Sequence, residues 1–289
     1  MYHRQARRDR RWGLGLPTLG LVLMATMGAA RATPWAAIAE PSLGPPRVIG
    51  GVSNGCIAGA DALPETGPGY VSIRRYRNRY YGHPELIRFI AEMGRMQQGR
   101  GERLIMIGDL SQPRGGRTPS SHRSHQNGLD VDIWFTLADS PAAARRLMDD
   151  RADPQSMVQP GGRAISAAWG PHQHALIESA ARHPGVDRIF VNAAIKQALC
   201  RASDPLADRD WLRKIRPWWG HDAHFHVRLR CPPGSPDCQA QADLTGDAGC
   251  GSDLAWWLSD EALKPSKGGG GARPEPQPPA ACRALLSDS

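Results

Sequence analysis

The chain has 289 residues, 40% of them hydrophobic and 22% charged, which excludes a polytopic membrane protein, a collagen-like chain and a wholly disordered one. The net charge of +8 would fit an acidic partner, but residues 1–32 hold six arginines and one acid. The rest of the chain has 30 basic against 27 acidic residues. We therefore expect no nucleic-acid partner.

Residues 1–32 have the layout of a secretory signal peptide. An Arg-rich opening is followed by an uncharged stretch over 12–30 and then by Ala30-Arg31-Ala32, an A-x-A cleavage pattern. A second such pattern at 37–39 allows a cut as late as residue 39. A membrane anchor is the alternative, but Pro17 and four glycines in the apolar stretch make a poor spanning helix. We expect export, with no membrane span after cleavage.

Six cysteines remain after cleavage: Cys56, Cys200, Cys231, Cys238, Cys250 and Cys282. An even number in an oxidising compartment predicts disulfides, although six cysteines allow 15 pairings. Cys231 and Cys238 bracket a turn-forming segment that can bring them together. A cysteine zinc site is disfavoured because the sequence contains no C-x-x-C motif.

The N-terminal half alternates loops with a few regular elements. Residues 33–70 are rich in Pro and Gly and predict loops with at most one short strand. Three elements follow in chain order: an amphipathic helix over 84–93 that opens at Pro84, a buried strand over 103–107, and, after a polar loop over 111–127, a strand over 128–135. In the last strand Asp130 and Asp132 share one face, opposite Leu129, Val131 and Ile133.

The C-terminal half predicts four helices and two strands. They are helices over 141–148, 171–182, 192–200 and 208–215, and strands over 187–191 and 223–229. Residues 264–281 are Gly- and Pro-rich and predict an extended segment. We predict one α+β domain over 40–263, with a central antiparallel sheet flanked by helices and long loops, and a tail over 264–289.

Five of the ten histidines fall in two short segments: His122, His125, His221, His224 and His226. Imidazole and carboxylate together suit zinc, and three such ligands leave a fourth position for water. Residues i and i+2 of a strand point the same way, so two such strand faces can form a zinc site with a nearby base. The alternative is two polar strand faces with solvated histidines.

Two other catalytic motifs bear on the function. The sequence has no H-E-x-x-H, so a helix-borne zinc peptidase site is not supported. Residues 51–55 match G-x-S-x-G around Ser53. A nucleophile elbow needs a long strand before the serine and a helix after it. Neither is predicted here, so we interpret this motif as a glycine turn.

The spacing His125-x6-Asp132 followed by His224-x-His226 resembles the zinc peptidases that include lysostaphin-type enzymes, D-Ala-D-Ala carboxypeptidases and hedgehog domains. Longer segments resemble the penicillin-insensitive murein endopeptidases. They are His-Arg-Ser-His-Gln at 122–126, Gly-Leu-Asp-Val-Asp at 128–132, Arg-Ile-Phe-Val-Asn at 188–192, Asp-Arg-Asp-Trp-Leu-Arg-Lys at 208–214, and His-Phe-His-Val-Arg-Leu-Arg-Cys at 224–231. The likeness covers nearly the whole mature chain to Leu258.

This resemblance implies a periplasmic zinc endopeptidase that cuts D-Ala–meso-diaminopimelate cross-links between peptidoglycan stem peptides. It selects Asp132 over Asp130, so that His125, Asp132 and His226 bind Zn²⁺ and His224 is the catalytic base. His122 and His221 match further active-site histidines of the family. The resemblance also implies three disulfides: Cys56–Cys282, Cys200–Cys250 and Cys231–Cys238.

Two alternatives stay open at this stage. A carboxypeptidase that trims a terminal D-Ala would use the same metal site, and a non-catalytic zinc protein would bind the cell wall without cleaving it. A further hypothesis is that the imidazolium of His122 or His221 stabilises the developing oxyanion. Arg123 and Arg228 are candidates for binding carboxylates of the stem peptide, with two solvated arginines as the alternative.

Overall fold

The computed structural model of the protein describes residues 33–119, 123–147, 154–203, 208–264 and 276–287. These residues belong to one compact unit. The predicted export signal over 1–32 and the candidate residue His122 lie outside the described residues.

In the described part of the chain, no helix has the length and apolar character needed to cross a membrane.

The strands and helices are short and alternate along the chain. The strands are β1 (Arg47–Gly51), β2 (Asn54–Ala58), β3 (Asp61–Ala62), β4 (Thr66–Gly67), β5 (Tyr70–Ser72), β6 (Tyr81–Gly82), β7 (Ile105–Ile107), β8 (Asp130–Trp134), β9 (Val186–Val191), β10 (Ile215–Pro217) and β11 (His224–Leu229). The helices are α1 (Pro84–Gln98), α2 (Pro141–Leu147), α3 (Pro171–Arg182), α4 (Ala193–Ala202), α5 (Asp210–Arg213), α6 (Ser252–Trp257), α7 (Asp260–Leu263) and α8 (Ala280–Ser287).

Seven strands form the main sheet, in the order β10-β9-β11-β8-β7-β5-β4. Its centre, β9-β11-β8-β7, is antiparallel, as the sequence predicted. The sheet as a whole is mixed, because β10 runs parallel to β9 and β5 runs parallel to β7. Each parallel pair is joined by a helical crossover, through α4 and α5 in one case and α1 in the other. Such connections are what parallel pairing requires.

Helix α1 illustrates how sequence pattern leads to packing. Pro84 occupies its first turn, and the side chain of His83 caps it by accepting a hydrogen bond from the Glu85 N–H at 3.2 Å. Leu86, Phe89, Ile90 and Met93 then recur on one face and are all buried. They join one core with residues of the sheet strands β7, β8, β9 and β11 and of α3. This core fixes the positions of β8 and β11.

The prediction of loops with at most one short strand over 33–70 is wrong, because β1 to β4 lie there and β5 begins at Tyr70. β1 and β2 form a hairpin with Val52 and Ser53 at its turn, so the glycine-turn interpretation of the G-x-S-x-G motif is confirmed. Gly50 has φ +71° and a backbone close to Asn54, which favours glycine at that position. The sequence did not predict this hairpin because its strands contain several glycines, and glycine has low strand propensity.

The C-terminal residues 276–287, placed by the sequence analysis in a tail, pack against this hairpin. Helix α8 begins at Ala280 and buries Cys282 and Leu285 beside Trp35 and Ile49. Three disulfides are formed, Cys56–Cys282, Cys200–Cys250 and Cys231–Cys238, the pairs that the family resemblance implies. The first of them ties α8 to β2.

Candidate active site

The pairing register of β8 against β11 brings the candidate site residues together. In this antiparallel pair Asp132 lies opposite His226, and Asp130 lies opposite Arg228. Directly opposed residues on one face of a sheet have their side chains within contact distance. The two predicted polar strand faces therefore meet side by side at the centre of the sheet, as the sequence analysis expected.

His125 reaches the site from the loop that precedes β8. Its backbone is left-handed, with φ +64°, and its N–H donates a hydrogen bond to Asp130 Oδ2 at 2.9 Å. Gly128 is also left-handed, with φ +75°, and a Cβ there would meet Ile57 at 2.5 Å. The loop therefore folds back against β8, and the hydrogen bond from the His125 N–H to Asp130 holds it there.

His125, Asp132 and His226 form a tight, buried cluster. Asp132 Oδ1 lies 3.4 Å from His125 Nε2 and 3.2 Å from His226 Nδ1. One potential ligand atom from each residue lies within 4.8 Å of the others, and this is the one group of metal-ligand type found among the described residues. The buried Asp132 Oδ1 accepts no hydrogen bond from any described residue. A His₂Asp donor set converging in this way fits a divalent metal such as zinc.

Asp130 lies beside this cluster, paired with Arg228, and is not part of it. It is fully buried and accepts a hydrogen bond from Arg228 Nε at 2.7 Å. Its Oδ1 also lies 3.1 Å from His226 Nε2, which leaves His226 Nδ1 facing Asp132. Such a carboxylate on the outer nitrogen of a metal-ligating histidine typically orients the ring.

Opposite charges in and beside the cluster shift the pKa values of the two carboxylates and of His125 towards the charged forms. Burial alone would lower the pKa of His125, but Asp132 and then Asp130 outweigh it and raise that pKa to about 9. Burial would raise the pKa of Asp130, yet Arg228 and then His226 hold it well below its usual range. His125 and His224 likewise keep the pKa of Asp132 low despite burial. Both carboxylates are therefore ionised at neutral pH.

His224 lies beside the cluster with one nitrogen available. Its Nε2 is 3.7 Å from Asp132 Oδ1, and this buried nitrogen has no hydrogen-bond partner in the described part of the chain. The ring of Trp134, which lies opposite His224 across the strands, is 5.2 Å away. Burial lowers the pKa of His224, so the neutral imidazole dominates at pH 7.

His221 stands at the rim of the site in a left-handed conformation, with φ +51°. Its ring lies 5.1 Å from that of His224. Its Nδ1 is 2.9 Å from the carbonyl oxygen of Trp219, which can only accept, so Nδ1 carries the proton. Burial, with His224 and His226 nearby, lowers the pKa of His221 to about 4. A neutral ring in this tautomer presents Nε2 as an acceptor, which argues against the imidazolium considered from sequence.

Arg228 is not a substrate-binding residue, contrary to the sequence-based hypothesis. It is 6% exposed, and its guanidinium contacts Asp130, Gln241 and the ring of Phe190. Arg123 is exposed. Sequence reasoning also missed Phe190, whose ring packs 5.5 Å from that of His226. Phe190 is opposite His226 in the β9–β11 register, which no local pattern reveals.

The family model described as penicillin-insensitive murein endopeptidase matches residues 48–287, which include every site residue described above. The chain belongs to this family. The resemblance noted in the sequence is thereby confirmed, and the protein is a peptidase.

Several proteins named penicillin-insensitive murein endopeptidase are similar over nearly their whole length. Those of Klebsiella pneumoniae subsp. pneumoniae and Escherichia coli O1:K1 are each 42% identical, over 93% of this chain and 96% of the relative. That of Yersinia enterocolitica is 42% identical over 96% of this chain and 98% of the relative. The alignments thus cover nearly all of this murein endopeptidase family member and of each relative.

Proposed function

We propose that the protein is a zinc-dependent endopeptidase that hydrolyses D-Ala–meso-diaminopimelate cross-links of peptidoglycan in the periplasm. The observation that carries the proposal is the buried cluster of His125, Asp132 and His226 with an available histidine nitrogen beside it. A purely structural metal site needs no such extra base. The relatives' name supplies the substrate class.

In this proposal His125, Asp132 and His226 hold the zinc. When bound, zinc supplies Lewis acidity, which polarises a carbonyl group and makes water more acidic. His224 accepts the proton of the attacking water at Nε2 and afterwards delivers a proton to the leaving amine. Its lowered pKa keeps the ring neutral and able to accept at pH 7.

His221 and His122 complete the proposed site. His221 Nε2, as an acceptor, binds an N–H group of the substrate peptide beside His224. We propose His122 as a further catalytic histidine because it matches the family's motif. Asp130 keeps His226 in its orientation by lying 3.1 Å from Nε2.

Digestion of purified sacculi, followed by mass spectrometry of the released muropeptides, tests the proposal. We expect cross-linked dimers to disappear and monomers to accumulate, and we expect a chelator to stop the reaction until zinc is restored. His172→Ala, a histidine substitution on α3, should match the wild type. Loss of terminal alanine alone would identify a carboxypeptidase instead. Zinc binding without any cleavage would identify a non-catalytic wall-binding protein.

A further inference from the structure

Four tryptophans form an aromatic surface next to the candidate site. We call Trp218, Trp219, Trp256 and Trp257 the tryptophan platform. The rings of Trp219 and Trp257 lie 4.5 Å apart, and those of Trp256 and Trp257 lie 5.4 Å apart. Trp218, Trp219 and Trp256 are 48%, 51% and 43% exposed. A contiguous exposed aromatic patch of this kind marks an interaction site on a globular domain.

The platform is held in place by the fold. Trp219 Nε1 donates a hydrogen bond to the carbonyl oxygen of Ala262 at 2.9 Å, which ties β10's connecting loop to α7. Helix α6, which carries the other two rings, follows Cys250 and is therefore linked to α4 by the Cys200–Cys250 bridge. Rings fixed before a ligand arrives lose little conformational entropy on binding.

The platform is continuous with the metal-ligand cluster. Trp218 lies 6.0 Å from the ring of Phe190, and Phe190 lies 5.5 Å from the ring of His226. One aromatic ring therefore separates the platform from a proposed zinc ligand. A polymer whose peptide enters the site would pass its adjoining part over these tryptophans.

The charges around the platform indicate which part of the polymer it fits. Asp253, Asp260 and Glu261 are exposed on α6 and α7, where Arg163 pairs with Asp260 and the exposed Lys264 follows α7. These two helices thus present no excess of basic charge, which disfavours an anionic lipid surface and the carboxylates of stem peptides as ligands. The amino-sugar strand is uncharged where its lactyl groups are joined to peptides. Its C–H faces carry partial positive charge and stack on the negative faces of aromatic rings.

We propose that the tryptophan platform binds the amino-sugar strand of peptidoglycan and so presents the attached stem peptide to the catalytic site. This inference rests on the proposed function, because it assumes that the substrate is peptidoglycan. The platform adds a glycan subsite to a site otherwise built for a peptide. Trp256 suits a test because its ring contacts lie within the platform.

The first measurement is calorimetric binding of tetra-N-acetylchitotetraose to the wild type and to three variants. We expect Trp256→Ala to bind about tenfold more weakly, comparable to losing one aromatic ring that stacks on a nucleobase. Trp256→Phe keeps a ring and should retain most of the binding. Leu147→Ala removes an exposed apolar side chain on α2 and should bind like the wild type. Absence of wild-type binding, or equal binding by Trp256→Ala, overturns the inference.

The second measurement compares cleavage of intact sacculi with cleavage of a cross-linked peptide dimer that lacks sugars. Trp256→Ala should slow the sacculus reaction about tenfold and leave the peptide reaction within twofold. Equal losses on both substrates would place Trp256 in the peptide site and overturn the inference. Loss of binding to phosphatidylglycerol vesicles instead, or a concentration-dependent dimer abolished by the substitution, would assign the surface to a membrane or a second copy. If the wild type cleaves neither substrate, the proposed function fails, whereas the sugar titration still decides the glycan subsite.

Discussion

Replacing Asp130 by Asn tests whether the carboxylate beside the proposed metal-ligand cluster of His125, Asp132 and His226 stabilises the fold, orients His226, or does both. The Arg228 Nε to Asp130 Oδ1 distance is 2.7 Å, and both side chains are buried. At an effective dielectric constant of about 20, the attraction at that distance is about 6 kcal/mol. Desolvation of the two ions offsets part of it. Removing one partner leaves the other buried and unpaired, and we expect Asp130→Asn to destabilise the protein by about 3–5 kcal/mol.

The double variant Asp130→Asn/Arg228→Met separates the two roles. Removing both charges relieves the unpaired guanidinium, so the free energy of unfolding should recover by several kcal/mol relative to Asp130→Asn. The His226 ring would still lack its carboxylate partner. We therefore expect zinc affinity to stay about 10–100-fold below that of the wild type in the double variant.

The assays are denaturant unfolding of the metal-free protein and zinc titration against a chromophoric chelator. Arg228→Met alone keeps the carboxylate and should retain most of the zinc affinity if the protein stays folded. Full recovery of zinc affinity in the double variant would refute the orienting role of Asp130. A destabilisation below about 1 kcal/mol for Asp130→Asn would refute the buried-pair argument.

The strand faces of the site were predictable from sequence because they depend only on local period. Residues i and i+2 share a face, so His224 with His226 and Asp130 with Asp132 could be grouped before any pairing was known. Spacing alone left Asp130 and Asp132 as equal candidates, and the family resemblance selected Asp132. The register that places Asp132 opposite His226 and Asp130 opposite Arg228 is non-local, so no spacing within one strand reveals it.

His125 shows where local reasoning ends. Its place depends on left-handed backbone at His125 and Gly128 and on a hydrogen bond to a residue five positions later. Only the family resemblance assigned it. The β1–β2 hairpin was missed for a related reason, since Trp35 and Leu285 cover it from distant parts of the chain. Non-local packing outweighed weak strand propensity there.

Four further predictions concern the metal, the second histidine pair, a disulfide and a buried lysine. A chelator should abolish peptidoglycan cleavage and penicillin should not, and the opposite pattern in a sacculus assay would exclude the metal mechanism. His226→Ala should lose both zinc and activity, whereas His224→Ala should keep zinc and lose turnover by about a hundredfold or more; metal content and rate measured on each variant would reveal reversed roles. Replacing Cys56 and Cys282 by Ala should lower the free energy of unfolding by about 3–5 kcal/mol, because the bridge closes a loop with a sequence separation of 226 residues; an unchanged denaturation midpoint would contradict this.

Lys196 is fully buried and donates hydrogen bonds to two backbone carbonyls, each at 2.6 Å. Burial, followed by the nearby Arg216 and Arg209, lowers its pKa to about 7. Between pH 7 and the ordinary lysine pKa, this position binds more protons in the unfolded chain than in the folded one, so its contribution to stability rises with pH. His125, whose folded pKa is raised to about 9, contributes in the opposite sense over the same range, so the measured quantity is the difference between the wild type and Lys196→Met. From pH 7 to pH 9 the free energy of unfolding of the wild type should gain about 2 kcal/mol relative to Lys196→Met, and a difference that stays constant over this range would show that the buried amine keeps its proton.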